Sequence, residues 1–139
     1  MSNPGPAVTI SSHPQVAGTN QTLRLIASFE SVNVNALGDT VLPIINTTRY
    51  SISNVIVTNA SISLTTAAAG LFTAPAAGGT GIVANAALSA CTAASVVSQR
   101  TVASTAAQSG QNLYFNVATA QGAAATCDVF VYGYDLTFN

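Results

Sequence analysis

Any chemistry in this chain must come from few side chains, because its 139 residues hold one histidine, two cysteines, four carboxylates and three arginines. His13 stands beside Pro14 with no cysteine or carboxylate near it in sequence, so it meets neither the ligand count of a metal site nor the pairing a general acid needs. Cys91 and Cys127 show no CxxC and no metal-type spacing. In a reducing compartment they serve as two small buried hydrophobes, and a disulfide requires that their elements meet. Glu30, Asp39, Asp128 and Asp135 are isolated from one another. The last two share a predicted strand, where a separation of seven places them on opposite faces and rules out a dyad within it. Gly78-Gly79-Thr80-Gly81 lacks both the Walker lysine and the spaced Rossmann glycines and reads as a turn. No nucleophile stands beside a base, so no catalytic, metal or cofactor site is expected and the chain is not expected to be an enzyme.

The elements that position these groups are short and extended. Residues 1–21 hold three of the five prolines and only Val8, Ile10 and Val16 as bulky apolar residues, which predicts an extended N-terminal arm. Such an arm is either a frayed terminus or lies along a neighbouring subunit, and Val8 and Ile10, two residues apart, suit the second. Residues 22–139 are predicted to form a single β-sandwich domain. Its first strand carries Leu23, Leu25, Ala27 and Phe29 on one side and Arg24, Ser28 and Glu30 on the other, interrupted by Ile26. Pro43 marks the group from Val41 to Ile45 as an edge strand or a bulge. From Tyr50 to Leu64 the apolar phase breaks near Asn54, which calls for a bulge there or a turn at Asn59.

Short strands follow at 70–73 and 81–84, separated by Pro75 and a Gly78-Gly79 turn, and Ala86 to Val97 could hold at most one or two helical turns. The last strands are 113–117 and 127–136. In the final one Asp128, Phe130, Tyr132 and Tyr134 share a face and Cys127, Val129 and Val131 the other, so both faces are expected to be covered, the aromatic one as core or as a cross-strand ladder. About eight short strands with Gly, Pro and Asn turns predict an all-β, jelly-roll-like sandwich.

Charge is the composition's main anomaly. Only 5% of residues are charged and none is lysine, against roughly 25% in an average soluble domain. Scaling leaves about one charge per ~950 Å² of folded surface, an area near one partner's share of a standard interface. Such a surface lacks the repulsion that keeps monomers apart, and charge depletion is what interface cores show, so association is expected. Without lysine to guard them, the strand edges must be covered by loops, broken by proline or paired with another subunit, and pairing is the option that also explains the missing charge. A net charge of −1 with three arginines excludes the basic patch that direct nucleic-acid binding needs. No apolar run approaches the roughly 18 residues that span a bilayer, and MSNPGPAVTI has neither the basic nor the apolar region of a secretory signal, so neither a membrane partner nor secretion is expected.

Two segments carry a family resemblance: NASISLTTAAAGLFTAPAAGGTGIV, from Asn59 to Val83, and LYFNVATAQGAAATCDVFVYGYDL, from Leu113 to Leu136. They resemble the capsid cement (decoration) proteins of tailed phages, such as those of the short-tailed Bordetella phages. The resemblance implies a jelly-roll subunit that associates with itself, as a homodimer or a trimer, on the exterior of the phage head and clamps major capsid proteins after assembly in the host cytoplasm. It transfers no catalytic residue and no contact motif. The candidate contacts, Val8, Ile10, Phe130, Tyr132 and Tyr134, come from the arm and the aromatic strand. A tail-tip or fibre receptor-binding module and a pilin-like β subunit are the other readings that the composition permits.

Overall fold

A computed structural model describes residues 23–137. The candidates Val8 and Ile10, the rest of the arm and His13 lie outside the described residues. Eight strands form among the described residues: β1 (Arg24–Asn33), β2 (Gly38–Pro43), β3 (Tyr50–Thr58), β4 (Ala68–Ala74), β5 (Gly78–Ala87), β6 (Val97–Arg100), β7 (Asn112–Thr119) and β8 (Thr126–Asp135). They make two four-stranded antiparallel sheets, in the orders β1-β8-β3-β6 and β2-β7-β4-β5. The first strand pairs with the eighth, the second with the seventh, the third with the sixth and the fourth with the fifth. One long hairpin is thus rolled into a two-layer sandwich.

Between the layers lies the hydrophobic core. Ile52, Val55 and Val57 of β3, Leu71 of β4, Leu113 and Phe115 of β7, and Cys127, Val129 and Val131 of β8 are all buried. Alternation along β7 and β8 places these residues inward. In β3 the alternation changes phase because the ladder slips between Ile52 and Asn54, and Asn59 then turns the chain at φ 54°. The bulge and the turn, read from sequence as alternatives, are both present.

Three local expectations are corrected. Ile26, read as an interruption of the first strand, is buried; Phe29 and Leu23, read on one side with Ala27, are exposed while Ala27 is buried. The cause is a slip of the β1–β8 ladder between Leu25 and Ala27, which turns Ile26 inward beside Ala27. No helix forms at 86–97: Ala86 and Ala87 complete β5, and Leu88 and Cys91 anchor the loop that follows through Leu88 N–H to Ala67 O (2.8 Å) and Cys91 O accepting from Leu64 N–H (3.0 Å). Buried side chains spaced by tertiary contacts, not by a helical stripe, hold this alanine-rich stretch. Gly78 and Gly79 open β5, and the turn is Pro75-Ala76-Ala77, closed by Gly78 N–H to Pro75 O (3.1 Å).

Packing against neighbouring backbone demands glycine at Gly70, over Val83 and Asn85 of β5, and at Gly133. At Gly133 a Cβ would run into the carbonyl oxygen of Ser51 and lie 3.1 Å from the Ile52 Cα, because the bulge in β3 brings that backbone over β8. Backbone cannot rotate away as a side chain can.

Candidate functional site

Seven charged side chains fall in the described residues, and most are bound to neutral partners or to one another. Asp135, at the end of β8, is buried and accepts from Thr47 Oγ1 (2.6 Å) and Thr137 N–H (2.9 Å), with Arg24 Nη2 at 3.7 Å. Burial alone would push its carboxyl up, but the hydrogen bonds from Thr47 and Thr137 and the Arg24 guanidinium outweigh it and hold the carboxyl below its ordinary value. Arg24 also donates to the carbonyls of Ile45 and Asn46 (2.7 and 3.2 Å), so one cluster ties the start of β1, the 45–49 loop and the chain's last strand.

Asp128 faces the opposite side of β8, as its spacing from Asp135 predicts. Its two oxygens accept from Ser31 N–H (2.8 Å) and Asn59 Nδ2 (3.0 Å), both residues at positive φ. Asp39 does the same between β2 and the β4–β5 turn, accepting from Ala76 N–H and Asn116 Nδ2, each at 2.8 Å. These carboxylates satisfy donors in irregular turns and on neighbouring strands, and none faces another carboxylate or a nucleophile. Among the described residues no group of three metal-ligating side chains converges.

Cys91 and Cys127 are both free thiols, fully buried in the same core. Burial pushes the Cys91 thiol up, and burial pushes Cys127 up to about 12. Both are therefore poor nucleophiles near neutrality.

The surfaces left over are the outer faces of the two sheets. On the first, Leu25, Tyr132 and Asn54 form one cross-strand row, Ser28, Phe130, Ile56 and Gln99 the next, and Asp128, Thr58 and Val97 a third, with Tyr134 opposite Ser51. Tyr134 and Val97 are 41% and 63% exposed, and Phe130, Tyr132 and Ile56 are half-buried. The aromatic face of β8 is thus an open cross-strand ladder and not core, because Cys127, Val129 and Val131 already supply this strand's share of the interior. Asp128 is the one charged residue that the register places on this face; Glu30 sits in the β1 bulge at its rim. The sequence-predicted residues Phe130, Tyr132 and Tyr134 are brought together here. Leu25, Ile56 and Val97, not singled out from sequence, complete the patch, since only strand register makes them neighbours of the aromatics.

On the second sheet, Val41, Tyr114, Phe72 and Gly81 form a cross-strand row. Phe72 points outward yet is only 8% exposed, since its ring lies against Gly81 and beside Gly70, where a Cβ would come within 2.9 Å of the ring. The glycines make room for a ring lying flat on the sheet.

Strand edges are managed within the chain. β2 ends at Pro43; β1 slips twice and has Ile26 O capped by Ile45 N–H (2.8 Å); β5 slips against β4 three times and has Ile82 O capped by Ala103 N–H (2.7 Å). Past β6, the strand edge of β3 is met by Gln108, which exchanges two backbone bonds with Tyr50, and by Thr105 O, which accepts from Ser51 Oγ. Bulges, proline and loops thus replace the missing lysines, and the lack of lysine does not by itself require edge pairing with a partner.

Comparison with known proteins finds no matching family model, no matching curated protein and no matching solved structure.

Proposed function

We propose that this chain is a structural virion subunit, a cement or decoration protein that associates with itself and clamps major capsid proteins on the exterior of a tailed-phage head. The observation that carries the reading is the outer face of the β1-β8-β3-β6 sheet: aromatic and aliphatic side chains from all four strands, with one charged residue among them. Apolar cores with depleted charge and enriched aromatics are the composition of subunit interfaces. The pairing order of the eight strands supports reading the sandwich as a jelly roll, the architecture that the family resemblance implies.

On this reading the protein has no catalytic step. Its work is done by many modest contacts that the lattice repeats, so that avidity supplies the strength a single contact lacks. The homodimer is the favoured unit, because a face nearly free of charge can meet its own copy across a two-fold axis with little like-charge repulsion. Nucleic acid and membrane are not partners. Phage heads stripped of this protein should rebind it and regain heat resistance, measured by sedimentation of the bound protein and by the temperature at which the heads release DNA. Heads that neither bind it nor change in stability would refute the proposal.

A further inference from the structure

Arg100, the last residue of β6, extends an inner cross-strand row beyond Val55 and Val131, so its side chain enters the gap between the two sheets at their open edge. Its Nη1 donates to Ala87 O (2.8 Å), and its Nη2 to Ala86 O (3.0 Å) and Ala69 O (3.3 Å). These carbonyls lie where the β4–β5 ladder slips between Ala69 and Leu71. A guanidinium carries five N–H donors, so two of them, on Nε and Nη1, have no acceptor among the described residues. No carboxylate neutralises it either, since the one ion pair among the described residues joins Arg24 to Asp135. Arg100 is half-buried, and a partly desolvated cation without a counter-charge attracts anions more strongly than an exposed one.

Beside Arg100 opens a cleft of about 310 Å³ that also touches Val83, Ala90, Ser98, Thr101 and Ala103. That volume is at the small end of ligand sites, which run from roughly 300 to 1,000 Å³. Its walls are mostly alanine and valine, with Ser98 and Thr101 as the hydroxyl-bearing members. We infer that this cleft binds a carboxylate carried on a short apolar stem, the carboxylate accepting from Arg100 and the stem lying against Val83, Ala90 and Ala103. The backbone carbonyls hold the guanidinium in place beforehand, so little ordering is left for the ligand to impose. This inference does not depend on the virion reading. The carboxylate could be a free short-chain acid or a glutamate side chain of a partner, and the chemistry recognised is the same.

The test is a heteronuclear NMR titration of the full chain with sodium butyrate, with n-butanol and sodium chloride as controls. Butyrate should produce saturable shifts at Arg100, Thr101 and Ala103, chloride none, and butanol much weaker ones. Ala90→Leu, at an exposed position, narrows the cleft while leaving the Arg100 bonds to the carbonyls intact, and should abolish the butyrate shifts with the rest of the spectrum unchanged. Equal binding of butanol and butyrate, or undiminished binding by the Ala90→Leu protein, overturns the assignment and leaves Arg100 as a clip between the sheets. Within a positive result, N-acetylglutamate amide distinguishes the sources: binding comparable to butyrate identifies a partner's side chain, and its exclusion identifies a free acid.

Discussion

Asp135 is the residue at which stability and pH meet most directly. Its carboxyl is held below its ordinary value in the folded protein, so the folded state binds its proton less readily than the unfolded chain does. That contribution is fully present above the unfolded value, near pH 4, and is lost as pH falls through the lower, folded value. Asp135→Asn keeps the shape but leaves Arg24 without its counter-charge and weakens the bonds from Thr47 and Thr137. It should cost about 2–4 kcal/mol, read as a shift in urea midpoint at pH 7, and the difference from the parent should shrink as the pH falls below the ordinary carboxylate value, near pH 4. A difference that persists undiminished in acid would show that the Asp135 charge is not its source. In sequence Asp135 is legible only as an isolated acid. Its partners Thr47, Thr137 and Arg24 come from three separate segments, and nothing in local pattern announces such a meeting.

At the scale of elements, the β4–β5 hairpin is built against its own sequence. Ala76 and Ala77 both take φ 57°, the left-handed region that favours asparagine and glycine, within the Pro75-Ala76-Ala77 turn. Each alanine there costs about 1 kcal/mol, and the bond from Ala76 N–H to Asp39 offsets part of it. Giving the turn its preferred asparagine and glycine, through Ala76→Asn combined with Ala77→Gly, should stabilise the protein by about 1 kcal/mol, seen as a raised thermal midpoint with an unchanged far-UV spectrum. An unchanged or lowered midpoint would mean that the turn is not strained.

The glycines at 78 and 79 draw the predicted turn too far along the chain, because in sequence they are the stronger turn signal. Interstrand register overrides it. The same competition removes the short helix from 86–97, where alanine propensity yields to pairing of Ala86 and Ala87 with β4 and to burial of Leu88 and Cys91. Where period-two patterning is unbroken, as in β7 and β8, sequence and structure agree to within a residue or two at each end.

For the whole molecule, shortage of charge on an aromatic sheet face predicts association that salt does little to weaken. Sedimentation equilibrium should show self-association of nearly equal strength at low and high ionic strength, since there are few surface charges to screen. Tyr132→Asp combined with Tyr134→Asp places two negative charges on each facing copy and should weaken association at least about tenfold, roughly 1.4 kcal/mol, with the monomer still folded by circular dichroism. Both side chains are already partly in solvent, so the fold has little to lose. A doubly substituted protein that associates as tightly as the parent would move the self-contact to another surface.

Composition and alternation by themselves determined the all-β class, the approximate number of strands, the scarcity of surface charge and the clustering of Phe130, Tyr132 and Tyr134 on one face of one strand. These are properties of single segments, set by a two-residue period and by residue type. Only the tertiary structure decided that this face looks outward, that Leu25, Ile56 and Val97 extend it, that register slips and loops blunt the edges of β1, β3 and β5, and that Arg100 lies in a cleft between the sheets without a counter-charge. Each of these depends on which strand lies beside which and in what register. Pairing between segments as distant as β1 and β8 is settled by the fit of two whole sheets around one core, and no local stretch of sequence contains it.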